Sequence, residues 1–233
     1  MPAATFSVLL LTAAPPGQTT EAGGAFVKID GREALLRSVE LFLNRDNVKQ
    51  IQIAFLADMM DEAKRKYGGH LSLFGVKLVA GGPKWFDQIA AGAEKISEEA
   101  THVIVHDAAR PAVAYSDVDC IMDLAEKHPA VALTSPLRTN LVELDEGHQP
   151  VAYHLSNRFV QLLTPQVFSK EKFAEIAKSK QDLHASALHL EKGSPLNVRV
   201  GGSGDAGFVN TMIKMLPKPK IKAPNSPFEE AQW

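Results

Sequence analysis

The residues of this sequence best suited to chemistry are an acid and a base three positions apart, Asp107 and Arg110. They follow a short β-branched run, 103–105, which is typical of a strand buried on both faces of a parallel sheet. Ligands of open α/β sheets bind outside the carboxyl ends of the strands. There, Asp107 could bind magnesium through oxygen and Arg110 could hold a phosphate in a bidentate fork. The structural alternative is that Asp107 caps the next helix and Arg110 pairs with it.

Composition narrows the class of protein. The chain has 233 residues, 45% hydrophobic and 22% charged, as in an ordinary globular protein. Its 25 basic and 27 acidic residues leave a net charge of −2, which argues against nucleic acid or an anionic membrane as a partner. The single cysteine, Cys120, leaves no internal disulfide framework and is typical of a reducing compartment. No apolar run is long enough to span a bilayer, so we expect a cytoplasmic protein.

Strand and helix patterns alternate along the first part of the chain. This alternation predicts an α/β fold with a doubly wound, mostly parallel sheet. Strands are expected at 6–11, 48–55, 76–80, 103–105 and 130–133, and helices at 34–44, 58–66, 87–96 and 117–127.

The pattern changes after residue 138. Two apolar runs, 141–144 and 151–155, flank a polar turn and predict a β-hairpin. Such a hairpin has little to pack on within its own domain, so we expect 138–158 to be an inserted arm that forms a homodimer. A chain break is expected at 164–166, helices at 170–178, 185–192 and 208–215, and a last strand at 197–200. Residues 1–216 would form one domain, and 217–233, rich in Pro and Lys, a mobile tail.

The loop between the first strand and the first helix, 12–24, is where α/β proteins commonly bind phosphates. It contains Gly17 but has neither a GxGxxG nor a Walker pattern. Pro15 and Pro16 each lack a backbone N–H donor. The nearby cation is Lys28, so the loop offers few groups that bind a polyphosphate.

Four motifs, in order and with similar spacing, resemble those of the methylerythritol-phosphate cytidylyltransferases of isoprenoid precursor synthesis. They are His-Asp-Ala-Ala-Arg-Pro at 106–111, Gly-Gly at 81–82 before a helix, Asn-Arg at 157–158 followed by Thr-Pro-Gln-Val-Phe at 164–168, and Ala-Ser-Ala-Leu at 185–188.

The resemblance implies a Rossmann-like nucleotidyltransferase fold, a Mg²⁺ cofactor, and transfer of CMP from CTP to a small sugar or polyol phosphate such as methylerythritol phosphate. It also implies roles for particular residues. These are catalysis by Asp107 and Lys28, metal binding by Asp107 and Asp205, acceptor binding by Arg110, Arg158 and Asn140, and nucleotide binding by Ala13, Ala14, Gly17, Gly81, Gly82 and Gln88.

Several cations of the family that face the triphosphate are replaced in this chain. Thr19 and Gly24 stand at the positions of a first-loop Arg and Lys, and Phe208 at that of a late Lys. The retained carboxylates would then leave excess negative charge beside a polyphosphate. Three hypotheses therefore stay open: a working cytidylyltransferase, a catalytically impaired homologue that binds a sugar or polyol phosphate or a nucleotide in a regulatory role, and a dimeric interaction protein.

Overall fold

The centre of the molecule is a seven-stranded sheet flanked by helices. The computed structural model describes residues 3–18 and 23–217. In chain order its elements are β1 (Phe6–Leu11), β2 (Lys28–Ile29), β3 (Arg32–Glu33), α1 (Ala34–Glu40), β4 (Val48–Leu56), α2 (Met60–Ala63), α3 (Gly69–Ser72), β5 (Val76–Gly81), α4 (Trp85–Ala93), β6 (His102–Asp107), α5 (Tyr115–Ala125), β7 (Ala130–Pro136), β8 (Leu141–Leu144), β9 (Pro150–His154), β10 (Val160–Ser169), α6 (Lys170–Ser179), β11 (His189–Lys192) and α7 (Ala206–Met215).

The strand order of the sheet is β11-β7-β10-β6-β1-β4-β5. β10 is antiparallel to both of its neighbours, and every other adjacent pair is parallel. The predicted mostly parallel, doubly wound sheet is therefore confirmed. From β1 the chain first adds β4 and β5 on one side and later β6 on the other. The order thus reverses between β1 and β6, and the crevice at such a point is where α/β proteins bind ligands.

One hydrophobic core lies on each face of the sheet, and the buried strands contribute side chains to both. In β1, Phe6, Val8 and Leu10 pack into one core, while Leu9 and Leu11 pack into the other. Alternating side chains point to opposite faces of a strand, so a strand covered on both faces is apolar throughout. Helices α1 and α5 contribute to the first core, and α4 and α6 to the second. The two cores fix the carboxyl end of β1, from which the site is built.

The sequence analysis missed β10 and treated 164–166 as a break. Pro165 lacks an N–H and is unfavourable inside a regular sheet. The structure accommodates Pro165 because the pairing of β10 with β7 is irregular between Leu162 and Gln166. Regular pairing resumes on both sides, so the strand continues through the proline.

Two further elements differ from the prediction. The expected helix at 185–192 is a short 3₁₀ turn, Ala185–Ala187, followed by edge strand β11, which pairs with β7. The expected strand at 197–200 is irregular, and the Val200 N–H donates to the Ala109 carbonyl (2.8 Å). In both segments long-range hydrogen bonds decide the conformation, and local patterning does not reveal them.

The predicted hairpin is present as β8 and β9, an isolated antiparallel pair. Its large apolar side chains are exposed: Val142 by 54%, Val151 by 57% and Tyr153 by 64%. Of the predicted mobile tail, residues 218–233 lie outside the described part of the chain. Within the described part, no helix combines the length and apolar character that a membrane crossing requires.

Candidate functional site

The candidate site lies where β1 and β6 end side by side. Leu11 pairs with Asp107, and the Ala108 N–H donates to the Leu11 carbonyl (2.9 Å). The turn after β6 is thereby fixed against the loop after β1. The strand order reverses between these two strands, and the crevice outside the carboxyl ends of such strands is where α/β proteins bind ligands.

A cavity of about 310 Å³ opens at this crevice. Its described lining consists of Thr12, Ala13, Ala14, Gly23, Gly24, Phe26, Leu56, Met59, Pro83 and Arg199. Gly24 is required by close packing, because a Cβ there would lie 2.1 Å from the Val200 carbonyl oxygen. Among the lining residues that the structure describes, Arg199 alone carries a positive charge. The loop residues 19–22, which include Thr19, lie outside the described residues.

Asp107 is fully buried beneath this cavity. Its Oδ1 accepts a hydrogen bond from the Ala109 N–H (2.9 Å), and its Oδ2 accepts one from Arg199 Nε (2.6 Å). Arg110 Nε lies 3.8 Å from the same Oδ2. Burial raises the pKa of the Asp107 carboxyl, and the neighbouring guanidinium of Arg199 opposes that rise. The carboxylate thus acts first as an anchor for the two arginines.

Arg110 is also buried, with 7% of its surface exposed. Its Nη1 donates to the Asn197 carbonyl (2.9 Å), and Asn197 Nδ2 donates to the Thr164 carbonyl (2.7 Å). Burial lowers the pKa of Arg110, while the Asp107 carboxylate raises it. Arg110 therefore ties the end of β6 to the irregular segment around residue 197, which is a structural role. Its other predicted role, phosphate binding, requires that its remaining donors reach a ligand.

His106 completes the support of this turn. Its ring is fully buried, with Nε2 3.1 Å from the Arg110 carbonyl and Nδ1 3.1 Å from Thr164 Oγ1. Since the carbonyl can only accept, Nε2 carries the proton and Nδ1 accepts from the Thr164 hydroxyl. The same hydroxyl oxygen accepts from the Asp107 N–H (3.1 Å). Burial lowers the pKa of His106 to about 3, so the ring is neutral and holds the turn in place.

The sequence analysis missed Arg199. It assigned the late cation position to Phe208, which is 57% exposed on α7. The structure instead brings Arg199 onto Asp107, so that two guanidiniums surround one buried carboxylate. The expected excess of negative charge is therefore wrong for this part of the site, where the local balance is positive. A lone arginine in a short apolar stretch was the available signal, but its partner lies 92 residues away.

Gln88 is fully buried under the loop after β1. Its Oε1 accepts from the backbone N–H groups of Thr12 (2.9 Å) and Ala13 (3.0 Å), and its Nε2 donates to Thr12 Oγ1 (3.2 Å). The side chain thus fixes two residues of the cavity wall. It also occupies two backbone donors of that wall.

The adjacent glycines have a packing reason as well. A Cβ on Gly81 would lie 3.0 Å from Gln88 Cγ, and one on Gly82 would lie 2.7 Å from Asp87 Cβ. Neither glycine lines the cavity among the described residues, whereas Ala13 and Ala14 do. Gly17 lies in an exposed turn with φ of 73°, a left-handed conformation that favours glycine.

The two carboxylates expected to bind magnesium do not fit a preformed metal site. Asp107 is buried and bound to Arg199, as described above. Asp205 Oδ2 accepts from the N–H groups of Gly201 (2.7 Å) and Gly202 (3.3 Å), and so closes the turn before α7. Across residues 3–18 and 23–217, no three His, Cys, Asp or Glu side chains are grouped so that they could hold a metal ion.

The remaining predicted site residues do not line the cavity within the described chain. Lys28 is exposed on β2. Asn140 donates from Nδ2 to the Tyr153 hydroxyl, and its Oδ1 accepts from the Ser156 N–H (2.9 Å). Arg158 is exposed at the end of the 3₁₀ turn Ser156–Arg158. Asn140 and Arg158 thus belong to the arm, and their roles toward substrate stay predictions.

Comparison with known proteins gives a consistent assignment. The family model of 2-C-methyl-D-erythritol 4-phosphate cytidylyltransferase matches residues 7–203. A relative of that name from Rhodopirellula baltica is 29% identical over 181 residues, which cover 72% of this chain and 73% of the relative. Another, from Lachnospira eligens, is 22% identical over 150 residues, 64% of this chain and 66% of its own length. The alignment with a Frankia casuarinae relative covers 52% of that protein.

Solved structures show the same fold at low identity. A 4-diphosphocytidyl-2C-methyl-D-erythritol synthase from Anaerococcus prevotii superposes with a TM-score of 0.71 at 14% identity, covering 91% of this chain and 96% of its own. A 2-C-methyl-D-erythritol 4-phosphate cytidylyltransferase from Thermus thermophilus gives 0.67 at 21% identity, covering 89% and 98%. With the family match over most of the chain, these similarities lead to one conclusion. This chain belongs to the 2-C-methyl-D-erythritol 4-phosphate cytidylyltransferase family.

Proposed function

We propose that this protein transfers CMP from CTP to a small polyol or sugar phosphate such as 2-C-methyl-D-erythritol 4-phosphate. In this reaction an acceptor phosphate oxygen forms a bond to the α-phosphorus of CTP, and the bond from that phosphorus to the leaving pyrophosphate breaks. Negative charge develops on the leaving group and at the α-phosphate. The protein therefore has to align the two phosphates and offset this charge.

The observation that carries the proposal is the cavity at the reversal of strand order, with Arg199 in its wall. Arg199 is aimed by Asp107, and the backbone of Ala13 and Ala14 forms the adjacent wall. A guanidinium held before the reaction requires no reorganisation as charge develops, which makes it an effective electrostatic catalyst. We assign Arg199 to the triphosphate and Arg110 to the acceptor phosphate.

Residues of the arm would complete the acceptor site. Arg158 and Asn140 do not line the described cavity, and the arm exposes apolar surface that a second copy would cover. We therefore propose a homodimer in which Arg158 of each arm serves the partner's site. We derive no step through a protein-bound metal, because the two candidate carboxylates are engaged by Arg199 and by the turn at residues 201–202.

A second function is favoured by one specific observation. Gln88 already occupies the N–H groups of Thr12 and Ala13, which reduces the donors available to a nucleotide. A homologue with impaired nucleotide binding would still bind a polyol phosphate through its arginines. Such a protein would act in regulation rather than in synthesis.

A pyrophosphate-release assay distinguishes the two functions. With CTP, methylerythritol phosphate and Mg²⁺, we expect release that requires both substrates. Arg199→Gln should lower kcat/KM about 10²-fold, the usual effect of losing one donor to a developing charge. Binding of the polyol phosphate by calorimetry with no pyrophosphate release would contradict the transferase and support the regulatory alternative.

Lys28→Ala is the matched control in this assay, because it removes a cation that the sequence predicts to be catalytic. We expect turnover close to that of the wild type, since Lys28 is exposed on β2 and does not line the described cavity. If Lys28→Ala loses turnover and Arg199→Gln retains it, Lys28 is the catalytic cation and Arg199 only supports the fold.

A further inference from the structure

Arg199, and not Asp107, faces the cavity. Its side chain is 11% exposed and lines the wall, whereas the Asp107 side chain is 1% exposed and lies behind it. The 2.6 Å bond from Arg199 Nε to Asp107 Oδ2 joins this lining residue to the buried carboxylate. Of this pair, Arg199 is thus the residue that a ligand in the cavity would contact.

A divalent cation at Asp107 would have to displace this arrangement. One carboxylate oxygen already accepts from the Ala109 N–H and the other from Arg199. Arg110 Nε lies 3.8 Å from the second oxygen, so a metal there would approach two guanidinium groups. Like charges repel strongly where little water is present to screen them. The buried carboxylate is thus neutralised by side chains of this chain.

The balance of charge favours an anion instead. Two guanidiniums surround one carboxylate, which leaves one positive charge in excess at the cavity wall. Of the Arg199 Nη donors, Nη1 contacts only the Val200 carbonyl, at 3.5 Å, among the described residues. Planar guanidinium groups bind phosphate oxygens in a bidentate manner.

We propose that the cavity binds a polyphosphate anion through Arg199 without a protein-bound divalent cation, and that Asp107 is the positioning residue that aims Arg199. The inference rests on the proposed function only in taking polyphosphate as the ligand class. Asp107 then does not ligate a metal, and the Arg199 guanidinium neutralises its charge.

Calorimetry with inorganic pyrophosphate tests this on the full-length protein. We expect the dissociation constant in EDTA to lie within about threefold of that in Mg²⁺, because Arg199 supplies the charge in both. Mg²⁺ titrated alone should give no binding heat. Binding of pyrophosphate only when Mg²⁺ is present would overturn the proposal, as would binding of Mg²⁺ alone that Asp107→Asn abolishes.

Substitutions test which residues are responsible for pyrophosphate binding. Arg199→Gln should weaken pyrophosphate binding at least 10-fold in EDTA, and Arg199→Lys should restore part of the loss because it keeps the charge. Asp107→Asn should also weaken binding, since the guanidinium loses its anchor. Arg32→Gln is the control: it removes the same charge from an exposed arginine that pairs with Glu40. Unchanged pyrophosphate binding by Arg199→Gln would overturn the proposal. If that variant does not fold, Arg199→Lys and the comparison of wild-type binding in EDTA and in Mg²⁺ still test the proposal.

This experiment and the test of the transferase can give different answers, so the two proposals can fail independently. Metal-independent pyrophosphate binding without any turnover of CTP would uphold this inference and refute the proposed function. Turnover together with pyrophosphate binding that requires Mg²⁺ would do the reverse.

Discussion

At the scale of single residues, the turn after β6 depends on buried polar groups that satisfy one another. His106 donates to the Arg110 carbonyl and accepts from Thr164, whose oxygen accepts from the Asp107 N–H. The His106 ring, the Thr164 hydroxyl and the Asp107 N–H each have a partner, so the cost of removing these groups from water is offset. Protonating the ring would replace an acceptor by a donor and break the link to Thr164.

This arrangement predicts a pH dependence of stability. The pKa of His106 is lowered to about 3 in the fold, against about 6.5 in the unfolded chain, so the unfolded state binds the extra proton between these values. The contribution is fully present above pH 6.5 and is lost as the pH falls toward 3. We expect the free energy of unfolding to fall by up to about 1.4 kcal/mol per pH unit below about 6 from this group.

Denaturant unfolding at pH 7.5, 6 and 5 measures this slope. His106→Gln should be less stable at pH 7.5 but should have a shallower slope, because it carries no titrating ring. His148→Asn, in the exposed turn of the hairpin, should keep the wild-type slope. Equal slopes for His106→Gln and the wild type would show that His106 does not control the acid sensitivity.

The hydrogen bonds of Gln88 lead to a second prediction about the stability of the fold. Gln88→Leu keeps much of the volume but leaves the Ala13 N–H without its acceptor, and the Thr12 N–H with only the Ala54 carbonyl at 3.3 Å. A buried unsatisfied donor costs about 1–3 kcal/mol, so we expect the free energy of unfolding to fall by about that amount. Gln181→Leu, at an exposed position, should change it by less than about 0.5 kcal/mol. A loss below about 1 kcal/mol for Gln88→Leu would contradict the structural role, as measured by urea unfolding.

The same scale shows where sequence reasoning could not reach. Asp107 and Arg110 could be singled out because both follow one recognisable strand. Arg199 could not, because it lies 92 residues later in an irregular segment that only the complete fold brings against Asp107. Gln88 was predicted to contact nucleotide, but its local pattern gives no indication that it bonds the loop after β1.

At the scale of elements, periodicity predicted the pieces that bury a regular face. β1 and β6 were found because apolar residues occupy both of their faces, and α5 because its buried residues recur at helical spacing. β10 was missed because Pro165 opposes a strand locally, while pairing with two neighbours outweighs it. β11 was taken for a helix because an edge strand of four residues is defined mainly by its hydrogen bonds to β7.

The packing of α4 on β1 can be tested with one methyl group. A Cβ on Gly92 would lie 2.5 Å from Leu9 Cδ2. Alanine favours a helix by about 1 kcal/mol over glycine, but overpacking a core costs about 1–3 kcal/mol. We expect Gly92→Ala to lower the free energy of unfolding by up to about 2 kcal/mol, measured by denaturant titration.

Gly207 in α7 provides the matched control. A Cβ there meets no other atom within 4 Å, so only the helix propensity changes. Gly207→Ala should therefore raise the free energy of unfolding by about 0.5–1 kcal/mol. If both alanine variants were stabilised, α4 would have room to move away from β1, and the close contact would not constrain the sheet.

At the scale of the whole molecule, the arm is the feature that one copy of the chain leaves unexplained. β8 and β9 pair only with each other, and their side chains Val142, Val151 and Tyr153 are more than half exposed. An isolated hairpin is marginally stable in water. An exposed apolar surface of this kind commonly marks an interface between proteins. The interaction-protein hypothesis and the dimeric enzyme both depend on this surface, so its partner has to be established independently of catalysis.

We predict that this partner is a second copy and that charges placed on the arm separate the two chains. The double variant Val151→Lys, Tyr153→Glu should bring desolvated charges into the interface, which costs several kcal/mol and exceeds what a small dimer tolerates. Light scattering should give twice the chain mass for the wild type and the single chain mass for the variant.

Leu73→Lys is the control, because Leu73 is 81% exposed outside the arm and its replacement should leave the mass doubled. A wild-type mass equal to one chain, or a double variant that stays dimeric, would show that the arm serves another purpose. If the dimer completes the site through Arg158, the double variant should also lose turnover. Mixing it with wild type should not restore that turnover, because the variant's hairpin cannot dock on a partner.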